Sequence, residues 1–160
     1  MIKIEVLFPE VCNLCGDLFN IEYLEKSLSE CEVIKTSLTE EPRFVTQDVD
    51  MIYLGPMSEN TQLLVIEKLK AYKEKIQELI NKNKVFLFTG NAMEVLENYI
   101  EDDDGFKHYG LGIIDLYAKI DTMHRFNTLF LGDFRNQQEE IKITGFKSTF
   151  SFSFGDNLQN

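Results

Sequence analysis

The segment VFLFTGNAMEVL, residues 85–96, joins a short apolar run to a turn of small residues and a stretch with helical character. In many α/β enzymes a strand-to-helix turn of this kind presents a nucleophile. Thr89 stands at its apex, followed by Gly90 and Asn91. A threonine hydroxyl attacks only with the help of a positioned base. Thr89 is therefore a candidate nucleophile, the remnant of one, or a plain turn residue.

A second turn with possible chemistry is LGPMSENTQ, residues 54–62, which ends an apolar strand and opens a helix. Ligands bind at such turns on the carboxyl edge of a parallel sheet, where backbone N–H groups can hold an anion. Gly55 is the single glycine of this turn, and Pro56 carries no N–H to donate. An ordinary strand–helix connection fits the same pattern.

Two further motifs resemble metal or redox sites. Cys12 and Cys15 form a C-x-x-C in a loop, without the second ligand pair that structural zinc needs. The acidic run EDDDG at 101–105 lacks the ligand spacing of a calcium loop. Two loop thiols and a solvated acidic loop are the favoured interpretations, a redox or metal module at Cys12 and Cys15 stays an alternative, and no metal site is predicted.

The only histidines are His108 and His124, and Arg125 follows the second one directly. An arginine guanidinium can bind a carboxylate or a phosphate through two parallel hydrogen bonds. Arg125 is therefore a candidate ligand-binding residue, with a surface ion pair as the alternative. Each histidine is more typical of a surface or hydrogen-bonded position than of a catalyst.

The predicted secondary structure around these residues changes along the chain, from alternating strands and helices to strands alone. Apolar runs at 2–8, 32–37, 50–55 and 85–88 predict strands, the last one fully buried. Helices are predicted after a cap at Asn20, over 61–81 and over NAMEVLENYI. This alternation indicates an α/β fold of three layers, with a mainly parallel sheet flanked by helices. Residues after 100 are β-rich and favour antiparallel pairing.

Length and charge exclude several classes of protein. The 160 residues suit one domain with a substantial core. A net charge of −11 repels a phosphate backbone, so nucleic acid is not an expected partner. No apolar run reaches the roughly 18 residues of a membrane span, and MIKIEVLFPE reads as a first strand rather than a signal peptide. Three cysteines without such a signal predict reduced thiols and a cytoplasmic location.

Several of these stretches, taken in order, resemble one family. NLCGDLFNI at 13–21 resembles the family's N-L-Y-x-D-x-G-N-I, which aligns Asp17 with a functional aspartate. IYLGPMSENTQ resembles G-G-G-x-x-x-x-Q and aligns Gly55 and Gln62, while YGLGIIDLY resembles G-L-G-I-L-D. The family is the glutaminase subunit of lipid II isoglutaminyl synthase, in the cobyric-acid-synthase-like group of class I glutamine amidotransferases.

The resemblance covers essentially the whole chain and implies a flavodoxin-like glutamine amidotransferase domain over residues 1–160. It places VFLFTGNAMEVL on the family's nucleophile turn, C-G-G-Y-Q, so Thr89 stands where the catalytic cysteine would be. Arg125 aligns with a substrate-contacting arginine. The predicted substrate-binding residues are therefore Asp17, Gly55, Gly90 and Arg125, and no cofactor is implied.

The departures from the family pattern all fall on one reaction. Thr89 replaces the cysteine that attacks the glutamine carboxamide, and Pro56 replaces a glycine whose N–H could face the oxyanion. Asn91 replaces the second glycine, and the family's GFENH has become GFKST at 145–149. The family's histidine base lies in a later segment. We expect this C-terminal portion to be missing after Asn160, and Thr89 to lack a nearby proton acceptor.

These departures predict a degenerate, non-catalytic domain that binds a glutamine-like small molecule or a partner protein. In the family, the glutaminase docks on a Mur-ligase-like, ATP-dependent synthetase that amidates the peptidoglycan precursor, so such a subunit is the implied partner. The alternative is an active glutamine amidotransferase, with Thr89 or Cys15 as nucleophile. It would supply ammonia to that partner or to cobyrinate amidation.

Overall fold

The computed structural model describes residues 1–135 and 139–155. Its central sheet has four strands that all run parallel, in the order β2-β1-β3-β4. The strands are β1 (Ile2–Leu7), β2 (Cys31–Thr36), β3 (Met51–Leu54) and β4 (Val85–Phe88). The β-branched and aliphatic residues of these strands favour the extended backbone of a buried parallel sheet.

Helices cover both faces of this sheet, which confirms the three-layer prediction. On one face, Ile21 of α1 (Phe19–Ser27) packs against Ile4, Val6 and Tyr53. On the other face, α2 (Glu59–Lys70) and α3 (Lys73–Asn81) bury their apolar residues against the opposite side of β1 and β3. Successive strand residues point to opposite faces, so alternate positions of β1 and β3 serve the two clusters.

The C-terminal part forms two further sheets, as the β-rich sequence predicts. A second sheet has the order β10-β7-β5-β6, and a separate hairpin pairs β8 with β9 in antiparallel register. Antiparallel pairing is confirmed for β7–β10, β5–β6 and β8–β9, whereas β5 and β7 run parallel. The strands are β5 (Tyr99–Glu101), β6 (Lys107–Tyr109), β7 (Tyr117–Ile120), β8 (Phe126–Arg135), β9 (Glu140–Thr149) and β10 (Ser151–Phe154).

Two helix predictions need correction at their boundaries. The single helix expected over 61–81 is two helices, separated at Ala71 and Tyr72. The backbone of Tyr72 leaves the helical region, with φ of −114° and ψ of 7°, and its ring meets that of Phe44 edge to face at 6.2 Å. Both helices pack on the same core, so the apolar spacing runs through the break. Asn20 does not cap α1. The helix begins at Phe19, and the Asn20 side chain donates to Asp17 instead.

The helix predicted over NAMEVLENYI is wrong. Residues Gly90–Leu96 form a 3₁₀ helix, and the chain then extends into β5. The carbonyl groups that a longer helix would use accept hydrogen bonds from the GLGII segment instead. Leu111 N–H donates to the Val95 carbonyl at 2.9 Å, and Ile113 N–H donates to the Leu96 carbonyl at 2.8 Å. Tertiary hydrogen bonds therefore override local helix propensity here.

The prediction that VFLF is fully buried is also wrong. β4 is one of the two edge strands of the central sheet, and its residues Val85 and Leu87 remain 55% and 37% exposed. An apolar run of four residues cannot by itself distinguish a central strand from an edge strand. Across residues 1–135 and 139–155, no helix combines the length and apolar character needed to cross a membrane.

Candidate functional site

Three segments meet at the carboxyl edge of the central sheet. They are the loop after β1, the LGPMS turn after β3 and the TGN turn after β4. Parallel strands point their carboxyl ends to one edge, so residues far apart in sequence converge there. Leu14 N–H donates to the Pro56 carbonyl at 2.9 Å, and Thr89 N–H donates to the Leu54 carbonyl at 3.1 Å. These bonds fix the three segments against one another.

Asp17 and Thr89 lie in direct contact at the centre of this edge. Thr89 Oγ1 donates to Asp17 Oδ2 at 2.5 Å, and the Tyr53 hydroxyl donates to the same oxygen. Asn20 Nδ2 donates to Asp17 Oδ1 at 3.1 Å. The expectation that Thr89 lacks a nearby proton acceptor is therefore wrong. The resemblance aligned Asp17 with a functional aspartate, but nothing in the sequence pattern paired it with Thr89.

Tyr53 is the residue that sequence reasoning missed. It is fully buried in β3, and burial, together with the hydrogen bond to Asp17, raises the pKa of its hydroxyl to about 12. The hydroxyl therefore stays protonated at neutral pH and remains a donor to Asp17. A tyrosine within the apolar run DMIYLG is the available signal, because a buried tyrosine hydroxyl requires a polar partner.

The backbone at Thr89 has no strain. Its φ of −105° and ψ of 148° are ordinary extended values, whereas a nucleophile elbow holds its residue in a strained turn that exposes the side-chain oxygen. Near the site, positive φ occurs instead at Gly90, at 56°, at Phe8 directly after β1, and at Cys15 in the loop that follows. The Thr89 hydroxyl points back to Asp17, which gives it the hydrogen-bonding role of a turn residue.

Asn91 joins the two turns through its side-chain amide. Met57 N–H donates to Asn91 Oδ1 at 3.0 Å, and Asn91 Nδ2 donates to the Met57 carbonyl at 2.8 Å. Gln62 Nε2 donates to the Asn91 carbonyl at 2.7 Å. The Met57 N–H is thus already used within the protein, and it is the first N–H after Pro56 that could have faced an oxyanion.

Both glycines of the predicted site occupy positions that a side chain would disrupt. A Cβ on Gly55 would lie 2.3 Å from the Cys12 carbonyl oxygen, and a Cβ on Gly90 would lie 2.9 Å from Pro56 Cβ. Close packing of the first loop and the two turns thus requires both glycines. Their role in substrate binding stays a prediction.

Arg125 lies apart from this cluster. Its Nη1 donates to Ser148 Oγ at 3.4 Å, and its guanidinium sits 5.0 Å from the centre of the Phe150 ring. None of its described contacts reaches Asp17 or Thr89, so the structure does not bring this predicted residue together with the others. Its alignment with a substrate-contacting arginine stays a prediction.

The two thiols of the C-x-x-C motif have different surroundings. Cys12 is buried, its Sγ lies 3.7 Å from Met57 Sδ, and burial raises its pKa to about 12. Cys15 is exposed in the adjacent loop. A thiol held protonated is a poor nucleophile and a poor metal ligand. Within the described part of the chain, no cluster of three or more histidine, cysteine or acidic side chains has the arrangement of a metal site.

Two buried carboxylates that the sequence did not single out lie beneath this edge. Gln62 Nε2 donates to Glu94 Oε2 at 2.9 Å, and the Ser151 hydroxyl donates to Glu94 Oε1. Ser153 Oγ donates to Glu97 Oε1 at 2.6 Å, while Glu97 Oε2 has no partner. Burial raises the pKa of both carboxyl groups. The pair ties β10 to the 3₁₀ helix that follows Thr89.

Two cavities lie beside the second sheet, away from Thr89 and Asp17. The larger, about 570 Å³, is lined by acidic residues of the EDDDG loop together with Lys119 and His124. The smaller, about 310 Å³, lies next to Glu59, Gln62 and His108. Three acidic groups of the larger cavity are paired with bases: Glu101 with Lys119, Asp102 with His108, and Asp121 with His124. The fourth, Asp103, accepts hydrogen bonds from the N–H and hydroxyl of Thr122.

A four-stranded parallel sheet with helices on both faces and the candidate site at its carboxyl edge fits the class I glutamine amidotransferase fold. The chain belongs to the family of CobB/CobQ-like glutamine amidotransferase domains, whose family model matches residues 3–154. This match confirms the resemblance to the cobyric-acid-synthase-like group that NLCGDLFNI and YGLGIIDLY indicated.

One curated relative is the lipid II isoglutaminyl synthase (glutamine-hydrolyzing) subunit GatD of Streptococcus pneumoniae (strain ATCC BAA-255 / R6). The two sequences are 27% identical over 147 residues, which cover 89% of this chain and 54% of the relative. The chain thus spans about half the length of the curated relative that it matches. The prediction that the family's C-terminal portion is missing after Asn160 concerns a position outside the residues that the structure describes.

Proposed function

We propose that this chain is a non-catalytic, glutamine amidotransferase-like subunit related to lipid II amidation. The observation that carries the proposal is that the Met57 N–H, the first backbone donor after Pro56, already donates to Asn91 Oδ1 at 3.0 Å and is therefore not free to face an oxyanion. At the position that the resemblance aligns with the nucleophile stands the Thr89 hydroxyl, bonded to Asp17. In an active glutaminase, a free thiolate would stand there to attack the glutamine carboxamide.

The surroundings of Thr89 also lack the groups that stabilise a tetrahedral intermediate. Such an intermediate needs N–H donors directed at the developing oxyanion. Pro56 has no N–H, and the Met57 N–H donates to Asn91. Pro56 also packs on Gly90 at the centre of the site. The network therefore favours a structural or binding role of this edge over amide hydrolysis.

A non-catalytic subunit acts through what it binds. The pneumococcal relative is named as a subunit of a synthase, and the family resemblance implies docking on a Mur-ligase-like, ATP-dependent synthetase. We propose such a synthetase as partner, with a glutamine-like small molecule as the candidate ligand near Asp17, Gly55 and Gly90. This proposal extends to a peptidoglycan-related role and a cytoplasmic location.

The second candidate is an active glutamine amidotransferase, and one observation favours it. Asp17 Oδ2 lies 2.5 Å from Thr89 Oγ1 and is therefore placed where a base would stand. A carboxylate is, however, a far weaker base than the alkoxide it would have to generate, so proton transfer is strongly uphill. The exposed thiol of Cys15 is the other nucleophile available in the adjacent loop.

Ammonia release from glutamine distinguishes the two candidates. We expect no release above the Thr89→Ala background, for the chain alone and with a co-purified synthetase. Thr89→Cys should also stay inactive, because a thiol alone does not restore the N–H donor that Pro56 lacks, and the Met57 N–H stays bonded to Asn91. Turnover abolished by Thr89→Ala or by Cys15→Ser would establish the active alternative.

A further inference from the structure

The β8–β9 hairpin is the part of the molecule with the most uncovered apolar surface. β8 and β9 pair only with each other, and within residues 1–135 and 139–155 neither has a strand on its outer edge. Leu129 and Leu131 of β8 are 80% and 73% exposed, and Phe146 of β9 is 63% exposed. A two-stranded sheet in water is marginally stable, and adding strands stabilises it.

The two outer edges differ in chemistry. From Phe126 to Gly132, β8 has seven consecutive residues without a charge, a proline or a bulge. β9 carries Glu140, Lys142 and Lys147 along its length. Charged residues, lysine above all, protect an edge strand from pairing with another chain. The edge of β9 has this protection, and the central part of β8 does not.

We propose that two copies of this chain pair β8 against β8 in antiparallel register, forming a four-stranded sheet in the order β9-β8-β8-β9. A two-fold axis perpendicular to the sheet makes the pairing isologous, so each copy contributes the same edge. The axis passes midway between Leu129 of one copy and Leu129 of the other. This surface is separate from the Asp17–Thr89 cluster, and the proposal does not depend on the function proposed above.

Complementary charges favour this register. With Leu129 opposite Leu129 of the second copy, Arg125 of each copy lies opposite Asp133 of the other, a carboxylate that Lys142 of its own chain also contacts at 2.9 Å. A shift that centres the pairing on Phe130 would instead place Arg125 opposite Arg135. Opposite charges across a strand pair stabilise the sheet, and like charges destabilise it.

The shapes of the side chains favour the same register. Pairing centred on Leu129 places Phe126 of one copy opposite Gly132 of the other. The space over Gly132 is open, since the atom nearest to a Cβ built there is Ile143 Cγ1 at 3.9 Å. Gly145, the other glycine of the hairpin, is already covered by the Phe130 ring of its own chain. An aromatic ring from a second copy can thus cover the one uncovered glycine.

The net charge of the chain also fits pairing through this hairpin. Residues 125–149 carry four basic and three acidic side chains, whereas the whole chain has a net charge of −11. The hairpin is thus close to neutral, so two acidic molecules approach through it with less repulsion than their net charges alone would produce. Salt screens the remaining repulsion. Dimerisation should therefore strengthen as salt concentration rises.

Sedimentation equilibrium of the full chain, at 50 mM and 500 mM NaCl, tests the proposal. We expect a monomer–dimer equilibrium that shifts toward dimer at high salt. Leu129→Lys places two lysines side by side on the axis and should raise the dimer dissociation constant at least about tenfold. Phe146→Lys, which makes the same change on the same face of the outer strand, should have a much smaller effect.

A disulfide trap fixes the register. In a Cys15→Ser, Cys31→Ser background, Leu129→Cys should cross-link two copies on oxidation, because Cα atoms facing each other across an antiparallel pair are about 4.5–5.5 Å apart. Phe146→Cys should not, since its two copies would be about three strand spacings apart. A monomer at every concentration and salt, equal effects of the two lysine variants, or equal cross-linking of the two cysteine variants would each overturn the proposal.

Discussion

The carboxyl edge of the central sheet and the β8–β9 hairpin differ in whether their side chains have partners within the protein. At the sheet edge, hydrogen bonds connect Asp17, Tyr53, Thr89 and Asn91, and glycines allow three segments to pack closely. On the hairpin, large apolar side chains of both strands remain exposed. A group already paired within the protein is not available to a substrate, whereas exposed apolar surface is available to another protein.

This difference separates two uses of one fold. Active sites hold polar groups ready for a substrate and accept strain or unpaired donors for that purpose. In this chain Thr89, which the resemblance aligns with the family nucleophile, has an ordinary backbone and a hydroxyl bonded to Asp17. Single substitutions in each region test whether the two regions differ in this way.

The largest expected effect is on stability at the sheet edge. Gly55→Ala would place a methyl group 2.3 Å from the Cys12 carbonyl oxygen, so the first loop must move. We expect the free energy of unfolding to fall by about 3 kcal/mol, as for severe overpacking. Urea denaturation followed by circular dichroism measures the change.

Gly132→Ala is the matched control on the hairpin. No atom lies closer than 3.9 Å to the added methyl group, so we expect a change within about 0.5 kcal/mol at low protein concentration. If the two variants lost similar stability, the contrast in packing between the two regions would be incorrect.

A smaller effect is expected for the buried carboxyl group that ties β10 to the 3₁₀ helix. Burial raises the pKa of Glu97 above its ordinary value of 4.5, so the folded state holds this proton more tightly than the unfolded chain does. Its contribution to stability is fully present below pH 4.5 and is lost as pH rises through the folded-state pKa. Across that window the loss is about 1.4 kcal/mol per pH unit.

Glu97→Gln cannot ionise and should therefore gain stability relative to the wild type as pH rises. Ser153→Ala should do the reverse, because the Ser153 hydroxyl lowers the pKa of Glu97. The measurement is urea denaturation of the three proteins between pH 4 and pH 9. Parallel stability profiles would show that Glu97 has the same affinity for its proton in both states.

The smallest effect is expected at Thr89 itself. Thr89→Val removes one of the donors to Asp17 while Tyr53 and Asn20 still donate to it, so we expect a loss of about 1 kcal/mol. Thr89→Ser keeps a hydroxyl and should lose less. A valine variant as stable as the wild type would show that the Thr89–Asp17 bond does not hold the turn after β4 to the loop after β1.

Much of the fold could be predicted from the sequence, because apolar periodicity reports which face of an element is buried. It located the four parallel strands and the three-layer arrangement. It could not show that Val85 and Leu87 lie on an outer strand, or that GLGII takes the carbonyl groups of residues 95 and 96. Those features depend on contacts between distant segments.

The site was predictable only in part for the same reason. The family resemblance aligned Asp17, Gly55, Gly90 and Thr89, and the structure brings their segments to one edge. The tyrosine in DMIYLG signals a buried hydroxyl but not its partner, Asp17 of the loop after β1. The bonds of the Asn91 amide to Met57 arise where the turns after β3 and β4 meet, which no local pattern encodes. Arg125, aligned by the same resemblance, has its contacts elsewhere.

Covalent trapping with a glutamine analogue shows whether Thr89 can act as a nucleophile. The chain, in a Cys15→Ser background, is incubated with a glutamine analogue that carries a chloromethyl ketone, and intact mass and peptide mapping follow. The pneumococcal relative, whose name describes it as glutamine-hydrolyzing, is the positive control. We predict an adduct on the relative and none at Thr89 of this chain. An adduct mapped to Thr89 and prevented by excess glutamine would contradict the assignment of a non-catalytic role.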